Sequence, residues 1–284
     1  MRQPILRTLL VGSALVISAC SGSNPANVTR AIDAVNAVDQ KNVAELMLAS
    51  GNPEEAVAYF ATQVERDPDN VTLQRGLARS LVRAGRLAEA IPAWRTVAQH
   101  PEGTQDDKVM LAEAHMRAND WDSAETVLNT VPPTHETFDR YRLEAMIADG
   151  KKDWKKADHF YETAAGLTTR PSGVFNNWGF SKLTRGAPRE AEQLFSQALQ
   201  HDPHLFTAKT NMALARVAQG NYSLPLVRMT QQERAMLLHT MAIAAIRKGD
   251  VNVGRTLLQE AIDTHPQHFD EAVRALRALD GGIG

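Results

Sequence analysis

Few residues of this chain have the chemistry of a reactive site. Two histidine pairs, His201/His204 and His265/His268, stand where helices are expected to end. Each pair could bring two imidazoles to one ion, but zinc normally takes three or four protein ligands. The favoured role is plainer: a histidine in a last turn complements the helix dipole and caps free carbonyls. No metal and no cofactor are therefore expected. Cys20 is the sole cysteine, so it has no disulfide partner within the chain. The motifs HExxH, GxxxxGKS or GxxxxGKT, GxSxG, SxxK and GxGxxG are absent. With no catalytic constellation, the chain is expected not to be an enzyme. Trp94 and Trp178 read as packing residues. Trp121 and Trp154 each follow an aspartate at a helix start and read as turn-packing residues.

The elements that must position any functional side chain are repeats. Ala56, Ala90, Ala124, Ala157 and Ala191 are spaced 34, 34, 33 and 34 residues apart. Four residues after each comes a large apolar residue: Phe60, Trp94, Leu128, Tyr161 and Phe195. Three further on stand Gln63, Val97, Val131, Ala164 and Ala198. Offsets of four and three share one helical face. Twelve residues before each ruler alanine is a small residue: Ala44, Ala78, Ala112, Ala145 and Gly179. Small residues there let two helices approach closely. Gly51, Gly85 and Gly186, with Asn119 in the third repeat, fall where a first helix can end in a left-handed turn. Prolines at 68, 101, 132, 171 and 203 follow the second helices.

These marks resemble the tetratricopeptide repeat (TPR) pattern. The stretch from Phe175 to Pro203 carries it best, with Trp178-Gly179, Gly186, Ala191, Phe195, Ala198 and Pro203 in register. A sixth first helix follows, with Asn211, Ala213 and Gly220 at matching offsets, but Pro225 falls where the next ruler alanine belongs. Thr230 to Glu233 has capping-box spacing, and Ala242, Gly249, Gly254, Leu258 and Ala261 form a degenerate repeat. A last helix, roughly 269–279, is expected to cap the open end. The resemblance implies an all-α fold, a right-handed superhelical solenoid of about six to seven helix pairs with a C-terminal capping helix. Its regular array spans 37–221 and its degenerate part 222–284.

In such arrays the first helices line a concave groove that holds a protein partner. By resemblance, the sixth position of each unit faces that groove. It holds Asn42, Asn177 and Asn211, with Asn176 beside them, whereas Gly76, Met110 and Leu143 occupy it in between. An asparagine amide can donate to and accept from a peptide backbone. The alternative is that these asparagines serve only their own helices. Arg75, Arg79 and Arg83 are spaced four apart. They read either as a solvated face or as a basic ridge for an acidic segment or terminal carboxylate.

At the other end, Arg2 and Arg7 precede an apolar run from Leu9 to Ile17, too short for a membrane span. Residues 1–19 read as a secretory signal. Ile17-Ser18-Ala19-Cys20 resembles a bacterial lipobox, which implies cleavage before Cys20, its acylation, and a polar tether over 20–36. The non-acidic Ser21 implies, by the same resemblance, an outer-membrane anchor facing the periplasm. The chain's 31 basic and 33 acidic residues become a formal charge of −4 without Arg2 and Arg7. A nucleic-acid partner normally demands a basic stripe, so none is expected. Lipobox, repeats and the run Asn176-Asn177-Trp178-Gly179 together resemble the TPR lipoproteins of the tight-adherence (Tad) pilus secretion system. That implies a pilotin-like scaffold, binding the secretin or another assembly component and supporting adherence and biofilm formation. The alternative is an adaptor for cell-wall hydrolases or for outer-membrane protein assembly. Homo-oligomers are compatible with either.

Overall fold

The computed structural model describes residues 42–49 and 52–281. Cys20, the signal, the tether and Gly51 lie outside the described residues. Among the described residues there are helices and no strands. The first helix, α1, covers 42–49 and is followed by α2 (Pro53–Arg66). There follow α3 (Val71–Arg83) with α4 (Leu87–Gln99), α5 (Gln105–Arg117) with α6 (Trp121–Leu128), and α7 (Phe138–Gly150) with α8 (Trp154–Gly166). The array continues through α9 (Ser172–Thr184) with α10 (Pro188–His201), then α11 (Phe206–Ala218). It closes with α12 (Gln231–Lys248), α13 (Val251–Thr264) and the capping helix α14 (Asp270–Gly281). Within the described residues no helix is long and apolar enough to cross a membrane.

Helix starts follow from their caps. Asn52, Asn70, Asp120 and Asp153 each accept a backbone N–H of the first turn. Thr104 with Asp107, and Thr230 with Glu233, form reciprocal capping boxes. Such caps are worth about 1 kcal/mol each. Helix ends follow from left-handed residues. Gly85 and Asn119 hold φ of 73° and 61°. In the fourth repeat the same place falls to Lys152, at φ 62°, a residue that composition gave no reason to expect there.

The ruler alanines are the packing seam: all five are 0% exposed. Phe60, Trp94, Leu128, Tyr161 and Phe195 beside them are at most 2% exposed. Ala78 on α3 packs in one cluster with Trp94 and Val97 of α4, and Ala145 with Ala157 and Tyr161 in the next pair but one. Burying each large side chain contributes roughly 1.5–3 kcal/mol. Every such site is local to one or two repeats, which is how a solenoid stabilises itself without a central core.

Two places break the regularity. Helix α6 ends four residues after its ruler alanine, whereas α4 and α8 run nine beyond theirs. Pro132 and Pro133 then lead the chain away, and α6 packs against α7 more sparsely than α4 against α5. The second break spans 219–230, where no helix forms. Pro225 cannot donate a helical hydrogen bond, and the loop is held instead by Arg216, which donates to the Leu224 carbonyl and to Ser223 Oγ at 3.1 Å each. Tyr222 donates to Asp250. The array resumes at α12 because its capping-box Glu233 pairs with Lys209 of α11, which is 1% exposed, at 3.0 Å.

The candidate groove and its polar ladder

First helices of neighbouring repeats touch directly, α5 with α7 and α9 with α11. Such close approach sets them on the inner side of the curve. At each joint along that side one polar tie crosses from repeat to repeat. Arg83 donates to the Met47 and Leu48 carbonyls that end α1, at 2.9 and 2.7 Å. Arg75 grips Asp107 of α5 through Nε and Nη2, both at 2.8 Å. Arg142 of α7 reaches Glu113 of α5 at 3.1 Å. Ser181 of α9 donates to Asp149 of α7. Asn211 donates to Asn176 Oδ1 across α11 and α9 at 3.0 Å. Lys209 and Glu233 complete the series.

This ladder divides the residues expected to hold a peptide. Arg75, Asn176 and Asn211 are rungs, each committed to a neighbouring repeat. Arg83 caps a helix. The basic row is therefore no continuous ridge: Arg75 and Arg83 are both engaged, while Arg79 is exposed with no hydrogen bond or ion pair among the described residues. Asn177 is half-buried beside Asn176, its Oδ1 3.5 Å from the Asn176 amide. Asn42 is exposed at the start of α1.

Between these polar groups lies an apolar row that composition alone did not reveal. The ninth position of successive units is Arg79, Glu113, Met146, Phe180 and Leu214, with Ile243 at the matching place on α12. The first two are charged and the last four apolar. Phe180 is 50% exposed, and Met146, Leu214 and Ile243 are half-buried. The signal was available in the 34-residue register, three residues beyond the asparagines. Near Arg79 a cavity of about 340 Å³ opens, floored by Trp94, Val82, Met110 and Ala114 and rimmed by Arg79 and Glu113. The groove thus passes from a charged, pocketed N-terminal half to an apolar C-terminal half.

At the middle of the array Asp158 of α8 collects three donors from α9 and its C-cap: Trp178 Nε1 at 2.6 Å, Lys182 at 3.1 Å, and Arg185. Burial works to raise the Asp158 pKa, but these bonds outweigh it and hold the carboxyl below its ordinary range. Trp178 also stacks on Tyr161, whose pKa burial pushes up. Trp121 donates to Asn119 Oδ1 at 2.9 Å and Trp154 lies 5.5 Å from Arg185, so both tryptophans serve turns and joints.

The histidines do less capping than their positions suggest. His201 stacks on Phe175. His265 bonds through Nδ1 to Gln267, and His268 pairs with Asp270 at 3.1 Å. Among the described residues no three acidic, histidine or cysteine groups converge as a metal site.

Residues 44–105 match the tetratricopeptide repeat family model, and the helix pairs beyond them keep the same seam. The fold is a TPR-like superhelix, and the family match itself covers those residues. A tetratricopeptide repeat and J domain-containing co-chaperone of Fusarium oxysporum is 24% identical over 149 residues, 51% of this chain and 28% of that protein. The chain therefore spans less than a third of the curated relative it matches. A chain of the APC/C hetero-tetramer Cut9–Hcn1 superposes with a TM-score of 0.61 at 13% identity, covering 83% of this chain and 48% of that one. A TPR protein from Parabacteroides merdae gives 0.54 at 12% identity, covering 84% and 96%. At such identities the likeness to the solved structures is one of fold. TPR arrays are protein-binding scaffolds, and this array offers a groove for that use.

Proposed function

We propose that this chain is a non-enzymatic, periplasmic protein-binding scaffold, tethered to the outer membrane through an acylated Cys20. Its task is to assist assembly or localisation of a Tad-type (type IVb) pilus secretion machine, as a pilotin-like lipoprotein similar to TadD. The observation that carries the binding role is the groove: an apolar row in which Phe180 is exposed and Met146, Leu214 and Ile243 are half-buried, with Asn177 beside it and the unpaired Arg79 at its N-terminal end. An extended segment laid there meets the Asn177 amide and apolar anchors together. The lipobox-like Ile17–Cys20 supports the tether, since several acyl chains on one cysteine anchor stably.

The test is affinity capture from detergent-solubilised envelope through a C-terminal tag, with mass spectrometry. Recovery of secretin or other pilus components supports the reading. Recovery of cell-wall hydrolases without them replaces it. Labelled palmitate that follows Cys20, and is lost in Cys20→Ser, tests the anchor separately.

A further inference from the structure

The shortened α6 leaves an opening at the joint between the third and fourth repeats, lined by none of the groove-row residues. Between α6, α7 and α8 lies a cavity of about 410 Å³. Its apolar wall is Leu128, Tyr141, Ile147 and Phe160, with the Tyr141 and Phe160 rings 5.6 Å apart. The rest of the lining is largely polar: Arg140 paired with Glu144, Lys151, Glu125, Asp153 and Lys156, with the exposed Lys152 and Lys155 beside them in the turn between α7 and α8. Lys151 pairs with Glu125. The other three lysines make no ion pair among the described residues. The one carboxylate inside the turn, Asp153, is engaged in capping α8. Lys156 sits 5.4 Å over the Phe160 ring, which sets a cation at the rim of the apolar wall. In a chain of net negative charge this is a concentrated basic spot beside an aromatic pocket.

We propose that this cleft is a second docking site, for an acidic protein segment that inserts one large apolar side chain. The cavity accommodates a leucine or aromatic side chain against Phe160, Tyr141 and Leu128. Flanking glutamates or aspartates meet Lys155 and Lys156, which form no ion pair with an acid among the described residues. The charge pattern repels a basic segment and so selects between partners. Two separate sites let one array join two proteins, and this inference stands independently of the lipid anchor and of the pilus reading.

The experiment uses the full chain and a fluorescein-labelled peptide of glutamates around a central Leu-Phe pair, followed by anisotropy. Saturable binding is expected, weakened about tenfold in Lys155→Glu/Lys156→Glu. Phe160→Ala, checked for native helicity, should weaken it as well, and a lysine-for-glutamate peptide should not bind. Arg79→Glu, in the groove, should leave it unchanged. Binding insensitive to the lysine reversals, or lost on Arg79→Glu, overturns the proposal. So does failure of the peptide to bind while phosphatidylglycerol vesicles cosediment with the chain through the same lysines, which would assign the turn to a membrane surface.

Discussion

Replacing Asp107 by asparagine should open the joint between the second and third repeats. The carboxylate is 3% exposed and accepts four hydrogen bonds. Oδ1 takes Arg75 Nε, while Oδ2 takes Arg75 Nη2, the Thr104 backbone N–H at 2.8 Å and Thr104 Oγ1 at 2.9 Å. An amide can satisfy one oxygen's share but turns N–H groups toward an Arg75 donor. Charge-assisted bonds are each worth about 1.5–3 kcal/mol. The Arg75 side chain is 22% exposed and keeps its bond to the Glu102 carbonyl, so part of the loss is recovered by water. The expected cost is about 2–3 kcal/mol. Arrays open locally, so the readout is amide exchange in α3 and α5, which should quicken while α12 and α13 keep their protection. Arg75→Ala should be equally damaging, and the two together little worse than either, a coupling of at least 1 kcal/mol. Additive effects, or a loss under about 0.5 kcal/mol, would refute the view that first-helix ties hold the repeats in register. Burial works to raise the Asp107 pKa, but its bonds from Arg75 and Thr104 outweigh that and depress it. The stability it gives is therefore complete above the ordinary carboxylate range and disappears as pH falls through the depressed value.

Other substitutions have equally definite expectations. Lys152→Gly relieves a left-handed non-glycine residue worth roughly 1–2 kcal/mol and should raise Tm by about 2–4 °C, measured by circular dichroism; an unchanged or lower Tm counts against strain there. Gly76→Ala would place a methyl 2.2 Å from Phe60 Cε1, in a ring only 1% exposed. Overpacking of about 1–3 kcal/mol should outweigh the roughly 1 kcal/mol of helix propensity gained, while Gly150→Ala, with nothing within 4 Å, should stabilise in the same urea titration. Burial pushes the His239 pKa below its ordinary 6.5, with Glu271 pulling the other way. The unfolded chain then binds the proton first, so protection of α12 and α14 should fall as pH drops below 6.5, and His239→Leu should flatten that slope.

The packing seam was legible because each repeat solves the same local problem with the same residue types. Ala56 to Ala191 and their large partners were named from spacing, and all are buried. The capping box at Thr230 and the break at Pro225 were legible through backbone chemistry. The early end of α6 had a signal as well: Pro132 follows its ruler alanine by eight residues, Pro101 and Pro68 theirs by eleven and twelve. The site was less legible, because its polar residues are decided by partners about one repeat away. Nothing in Arg75, Arg79 and Arg83 tells which one meets an acid, until Asp107 is brought opposite Arg75 by packing. Asn176 and Asn211 likewise look like peptide ligands and turn out to bind each other. Lys152 shows that a turn's geometry can be imposed by the repeats around it, without the glycine that normally announces it.

The central claim is that partner proteins lie along the first helices, over the apolar row. A photo-crosslinking phenylalanine at position 180 tests it most directly, with Gln193, exposed on the second helix α10, as the control position. Irradiation in cells should join position 180 to a discrete protein partner, and the product should vanish when Asn177→Ala and Arg79→Glu are added. Crosslinks from position 193 with none from position 180 would contradict the account.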